Sequence, residues 1–446
     1  MRAACLPCSA RDFLGHWLRF VAAIVGAVAL INATVDPYGL YRFVTLTGFN
    51  RIKPEAENSA RLVKAYALEH VRPRTLIVGN SRVEVGLDPR APAWPARDRP
   101  VYNLGLPGTG PYIELRYLQD ALALHRPKLI VLGVDFMDFL VNPDSKASFP
   151  PPRGHYERRL LVNYDGTPNR MRYLQQAKDT AATLFSLNAL TASVETLFAQ
   201  WQTYPANMTR MGFNPMTDYA GYVHASGHYP LFLQRDTENV KDYVDGPKGL
   251  TLGQTGTSPA FDALWQMIEL CRAHHIKLVL LIYPYHAHLL ETFKATGLWP
   301  QFEAWKRRVV DMVALDARMH PSEKAFALWD FSGYNRLTDE AIPPEGSTRP
   351  MRWYWEAGHF KKALGNLMLD RIFGRRPPFP LPNSFGVRLG PRNIDTRLAA
   401  IRLSQHRYEA THPQDVAEIA RLARAASSGT RPGATMTAGH FAPFIF

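Results

Sequence analysis

The 446 residues are enough for one large domain with embellishments or for two domains, and 46% hydrophobic with 11% aromatic content excludes a disordered polymer. Three cysteines exclude a fold held by disulfides. The formal net charge is +13, and over half of it lies in Arg371–Phe446, where eleven Arg face four Asp/Glu. Such a tail suits an anionic surface, either lipid headgroups or an acidic polysaccharide. No nucleic-acid motif accompanies it, so nucleic acid is not an expected partner.

At the amino end, Arg2, Arg11 and Arg19 precede an uncharged apolar run, Phe20–Val35, that stops at Asp36-Pro37. With Trp17 and Leu18 the run approaches the roughly 20 residues that span a bilayer. Positive charge on its amino side predicts residues 1–19 in the cytoplasm, 20–36 as an uncleaved signal anchor, and the rest exported across a bacterial inner membrane into the periplasm. Ile31 is too large for the small residue that a cleavage site after Ala33 would need. Cys5 and Cys8 form a CxxC without a second pair, so no metal or redox site is expected, and Cys271 reads as a core hydrophobe.

A linker and a helix at Ala56–His70 lead into an α/β alternation. Strands are predicted at Thr75–Val78, Val101–Leu104, Leu129–Gly133, Lys277–Ile282 and Phe326–Asp330. Helices are predicted at Tyr112–Leu124, Phe261–His274, Phe302–Met319 and Lys361–Phe373. Short β-branched and leucine runs between helices predict a three-layer αβα sandwich around a doubly wound, mostly parallel, five-stranded sheet. Residues 142–258 interrupt the rhythm with Pro150-Pro151-Pro152, many tyrosines and one helical stretch, Leu187–Gln200. They read as an insertion, either a lid beside the site or a structural cover. After residue 374 a basic, proline-rich linker and tail are expected, with short helices near Asp395–Glu409 and Pro413–Ala426 and disorder from Ser427.

Two stretches carry chemistry. Gly79-Asn80-Ser81-Arg82 follows the first strand, a position that either exposes a serine at the carboxyl end of a strand or simply caps a helix. Glu356-Ala-Gly-His359 follows the last strand, and a carboxylate three residues from a histidine can orient the ring while it takes a proton from a serine. Their order along the chain lets Ser81, Glu356 and His359 converge at one end of the sheet. Tyr283-Pro-Tyr-His286-Ala-His288 follows the fourth strand and would rim the same cleft. Tyr283 and His286 are therefore candidate substrate contacts, and without a third ligand no metal is expected. Arg82 could bind an anionic substrate or pair with Glu84 or Asp88.

These blocks resemble those of the SGNH (GDSL-like) hydrolase superfamily, in particular its membrane-anchored periplasmic branch of alginate O-acetyltransferase-like and D-alanyl transfer proteins. Gly79-Asn-Ser-Arg82 is similar to the first block, with Ser81 as nucleophile. Asn103-Leu-Gly105-Leu-Pro-Gly108 is similar to the second, with Gly105, or Asn103, as an oxyanion donor. Glu356-Ala-Gly-His359 is similar to the last, usually Asp-x-x-His. The resemblance covers about residues 57–374 without the insertion and implies a flavodoxin-like fold, a Ser-His-Glu triad and no cofactor. It departs at the third block, usually Gly-x-Asn, where Gly133-Val-Asp135 would set a carboxylate beside an oxyanion that needs donors. The function implied is an esterase or O-acyltransferase acting on acyl, chiefly acetyl, esters of an envelope glycan or on a small acyl ester. The alternative is an inactive domain that binds polysaccharide or scaffolds envelope-assembly proteins.

Overall fold

The computed structural model describes residues 10–428. Helix α1 (Ala10–Val35) leads through α2 (Pro54–Asn58) and α3 (Ala60–Ala67) to β1 (Thr75–Val78), α4 (Ser81–Gly86), β2 (Val101–Asn103), α5 (Pro111–Leu124) and β3 (Leu129–Val134). The insertion folds as α6 (Met171–Phe185), α7 (Leu187–Ala199), α8 (Thr217–Ser226) and α9 (Tyr229–Val244). Alternation resumes with α10 (Pro259–Ala273), β4 (Lys277–Ile282), α11 (Ala287–Ala295), α12 (Trp299–Met319) and β5 (Ala327–Asp330). The hairpin β6 (Tyr354–Glu356) and β7 (His359–Phe360) precedes α13 (Lys362–Phe373), β8 (Val387–Leu389), α14 (Ile394–Thr411) and α15 (Pro413–Ser427).

Strands β1 and β3 are buried along their whole length, which is why they read as continuous apolar runs rather than alternating ones. The main sheet has the order β2-β1-β3-β4-β5-β8 and is parallel except at its last pair. Thr75 pairs with both Val101 and Leu129, so the connections reverse direction between β1 and β3. A ligand crevice is expected outside the carboxyl ends of strands at such a reversal.

The expectation of five strands is corrected to six. β5 would be a bare edge, and β8 covers it antiparallel, pairing Leu389 with Leu328 and Val387 with Asp330. β8 comes from the segment expected to be a linker. Arg371 fixes that segment by donating from Nε to the Phe385 carbonyl (3.0 Å) and from Nη2 to the Pro382 carbonyl (2.8 Å). α14 buries Leu398, Ile401 and Tyr408 in the main core, so the region after residue 374 is part of the domain. The CxxC at Cys5 and Cys8 and the tail beyond Ser428 lie outside the described residues.

Among the described residues one helix, α1, is long and apolar enough to cross a membrane, and it starts ten residues before the apolar run. Its last carbonyls are capped by Lys53, whose Nζ donates to the Val35 and Asp36 carbonyls at 2.7 and 2.6 Å. The Asp36 carboxylate accepts the N–H groups of Leu40, Tyr41 and Arg42, which turns the chain into the domain.

Candidate active site

The site begins where β1 ends. Gly79 sits at φ +145°, and a Cβ there would meet the Tyr283 hydroxyl and Val83, so only glycine lets the chain turn so sharply. Asn80 caps α4, its Oδ1 accepting the Arg82 N–H at 3.0 Å. Ser81 is thereby the first residue of α4, at the carboxyl end of β1 beside the strand-order reversal.

The hairpin delivers the partners. Glu356 and His359 face each other across the β6–β7 turn rather than along a helix. Phe360 packs its ring against Gly86, which docks the hairpin on α4. The Ser81 Oγ lies 2.8 Å from His359 Nε2, and Nδ1 of the same ring is bonded to Glu356 Oε1. The other oxygen, Oε2, accepts the Gly358 N–H at 2.5 Å and lies 3.5 Å from Arg235 Nε. Burial would push the Glu356 carboxyl up, but His359 and Arg235 outweigh it and hold it down to about 2. Burial lowers the His359 imidazole, with Glu356 partly offsetting, so the ring is a neutral base at neutral pH with Nδ1 as donor and Nε2 facing the serine.

Asp135 does not face a free oxyanion position. Its Oδ2 is ion-paired with Arg82 and accepts from Asn80 Nδ2 at 2.8 Å, and its Oδ1 accepts the Tyr285 hydroxyl at 2.9 Å. Arg82 donates from Nε to the Gly358 carbonyl at 2.8 Å and lies over the Tyr283 and Tyr285 rings. It therefore clamps the histidine turn to β3, and it pairs with neither Glu84 nor Asp88.

Four expected site residues are placed elsewhere. The Gly105 N–H donates to Asn103 Oδ1 at 2.9 Å and is not free for a ligand. Asn103 is fully buried and donates from Nδ2 to the Val83 and Leu87 carbonyls at 2.7 and 2.9 Å, closing the end of α4. His286 is buried between Phe232 and Tyr354, with Nε2 on the Glu340 carbonyl and its basicity lowered by burial to about 3. Tyr283 is also wholly buried, under the Gly79 turn, and neither it nor His286 reaches the cleft. His288 bonds Asp236 of α9 at 2.8 Å and joins no group of three metal-binding side chains among the described residues.

A cleft of about 510 Å³ opens over Ser81 and His359. One wall is Gly108-Thr109-Gly110. Among the described residues the backbone N–H groups of Ser81, Thr109 and Gly110 have no acceptor. The facing wall is α9 and the segment after it, with Arg235, Asn239, Tyr243 and Lys248. From the sequence the insertion is expected beside the site as a lid or wall, but no site residue is named on either wall. A Gly-Thr-Gly just before a helix was a usable signal for the first, whereas nothing in the sequence marks Arg235. No protein-family model matches this chain, and none of the curated proteins matches it.

Proposed function

We propose that the chain is a serine-dependent acyl-ester enzyme of SGNH-like, three-layer αβα build. One observation carries the reading: a serine on a strand-to-helix turn lies 2.8 Å from an imidazole whose far nitrogen is held by a buried carboxylate, at the mouth of a cleft. Ser81 Oγ attacks the acyl carbonyl as its proton passes to His359 Nε2, and Glu356 stabilises the imidazolium. The negative oxygen is met by the N–H of Ser81 and those of Thr109 and Gly110, in place of Gly105 and Asn103. Collapse breaks the ester C–O bond, and His359 returns the proton to the leaving alcohol. Water or a sugar hydroxyl, deprotonated by the same ring, then takes the acyl group from Ser81. Asp135 is no obstacle on this reading, because Arg82, Asn80 and Tyr285 already satisfy its carboxylate.

With α1 as the anchor, the domain faces the periplasm from the inner membrane, and acetyl esters of an envelope glycan are the substrate class. The test is labelling by a fluorophosphonate, together with p-nitrophenyl acetate hydrolysis, in the full-length protein in detergent, wild type against Ser81→Ala. The full chain is needed because Lys53 is built onto the end of α1. Labelling and turnover that vanish in the variant support the reading. Absence of both in the wild type moves the domain to the polysaccharide-binding alternative.

A further inference from the structure

A second surface of interest lies around the end of α1. With Trp17 and Leu18 the apolar stretch to Val35 is nineteen residues, about 28 Å at 1.5 Å per residue. That falls short of a hydrocarbon layer of about 30 Å, so a spanning helix would use the whole run. Its last two turns are nevertheless already in contact with the domain. Val28, Asn32 and Val35 are buried, and Asn32 donates from Nδ2 to the Leu184 carbonyl at 2.8 Å and accepts from Ser193 Oγ at 2.8 Å. The α6–α7 junction is therefore attached to a part of α1 that has to lie inside the membrane or at its boundary.

The outer surface at this junction carries large exposed apolar side chains, with Asn188, Thr191 and Glu195 exposed among them. Phe185 and Leu187 flank the junction, and Phe198 and Trp201 close the far end of α7. Leu187, Phe198 and Trp201 are 72%, 65% and 73% exposed. That end is tied back to the anchor region, because Gln200 bonds both the N–H and the carbonyl of Ile52. Asn50 donates to the Thr34, Val35 and Val44 carbonyls, which ties the loop bearing Phe43 and Leu46 to the helix end, and the Tyr41 hydroxyl bonds Thr183 of α6. Phe43 is 75% exposed. Large aromatic and aliphatic side chains at this exposure, on elements bonded to the end of α1 and to Ile52, are of the kind that marks a membrane or partner surface. Beneath them the side chains of Asn32, Asn50 and Ser193 are satisfied internally, whereas the Thr196 hydroxyl of α7 is buried without a partner.

We propose that α6, α7 and the 43–46 loop form a collar that lies in the headgroup–acyl boundary of the same membrane that α1 crosses. The proposal rests on α1 being a spanning helix. The occupant is lipid, because the collar is continuous with the packed surface of α1 and the anchor brings bilayer to it. The collar fixes the domain on the membrane surface through three elements instead of a single tether, and half of the insertion thereby has a role outside the cleft.

The test uses the full chain in phosphatidylethanolamine–phosphatidylglycerol vesicles with no other protein present. Cys5→Ser and Cys8→Ser remove the amino-terminal thiols, and Cys271 is buried. Single cysteines at Leu187, Phe198 and Trp201 carry an environment-sensitive fluorophore. Ala22→Cys in α1 reports the anchor, and Leu403→Cys on α14 serves as the water-exposed control. The expected result is blue-shifted emission at the three collar positions with stronger quenching by headgroup-proximal than chain-end nitroxide lipids, since interfacial helices sit about 5–10 Å into the boundary. Leu403→Cys remains unquenched. Collar probes as wet as that control, with Ala22→Cys quenched, would overturn the collar while keeping the anchor. They would leave a second membrane protein or a second copy as the cover. An unquenched Ala22→Cys would overturn both.

Discussion

Replacing Glu356 by glutamine tests the proposed triad where its geometry is most constrained. The carboxylate accepts on both oxygens, from His359 Nδ1 on Oε1 and from the Gly358 N–H, with Arg235 near, on Oε2. Glutamine has one acceptor. If its oxygen keeps Gly358 and Arg235, its NH2 faces Nδ1 and forces the imidazole proton onto Nε2, where the ring cannot accept from Ser81. If it keeps His359, its NH2 meets two donors. The first orientation leaves one mismatch and the second leaves two, so the wrong tautomer is favoured. A histidine held in that tautomer costs about 10⁴ in kcat, about 5.5 kcal/mol at 1.36 kcal/mol per decade. The assay is p-nitrophenyl acetate turnover by the full-length chain in detergent, with circular dichroism to establish that Glu356→Gln is folded. The variant also changes the pH dependence of stability. Glu356 is depressed to about 2 from an ordinary 4.5, so its ion pairs stabilise the fold above about 4.5 and are lost as pH falls through about 2. The variant should therefore lose less stability than wild type across that window. A folded Glu356→Gln that retains turnover within tenfold of wild type would refute the role given to the carboxylate.

Because burial lowers His359, the acid limb of kcat/KM should fall below the ordinary imidazole value, and Arg235→Met should move it to higher pH by removing a positive charge that opposes protonation. A purely structural Arg235 would leave the limb in place. Asp135→Asn restores the asparagine usual in the resembling family, yet it should lower stability by about 3 kcal/mol and raise no activity, since Arg82, 12% exposed, loses its carboxylate. A rate gain in that variant would show that the position serves the oxyanion. Arg397→Met should cost about 3 kcal/mol in denaturant titrations, at the low end for breaking a buried pair because Lys306 still holds Asp330 at 2.9 Å.

The strands were legible because a parallel sheet buries both faces and leaves an unbroken apolar run. Thr75–Val78 and Lys277–Ile282 fall as the composition predicts. The convergence of Ser81, His359 and Glu356 was legible because these residues sit beside strand ends, where sequence order maps onto spatial order. What stayed hidden depends on long-range pairing. β8 is three residues with one buried side chain, Leu389, and it is a strand only because β5 offers an edge. Arg235 lies more than a hundred residues from both Ser81 and Glu356, on a helix whose pattern has no special feature. Gly105 and Asn103 failed as site residues for a related reason. A Gly and an Asn after a strand can serve a ligand or close a helix end, and only the position of α4 decides between them.

The elements outside the predicted core converge on the same few residues. α9 supplies Arg235 to the carboxylate, and the next residue, Asp236, holds His288 of α11. His288 Nε2 lies 3.7 Å from Asp415 of α15, and Asp236 and Asp415 together raise its basicity to about 10 against burial, so the imidazolium joins insertion and tail at neutral pH. The insertion also holds α1 through Asn32 and Ser193. Ser81 and its partners thus sit within a frame whose other members reach α1 and the last described helix. A change at Asp415, far from Ser81 in sequence, acts on the carboxylate's wall through His288 and α9. The cleft is then a property of the whole chain from α1 to α15, and a fragment trimmed to the α/β core would present Ser81 and His359 without the wall that holds Glu356 ionised.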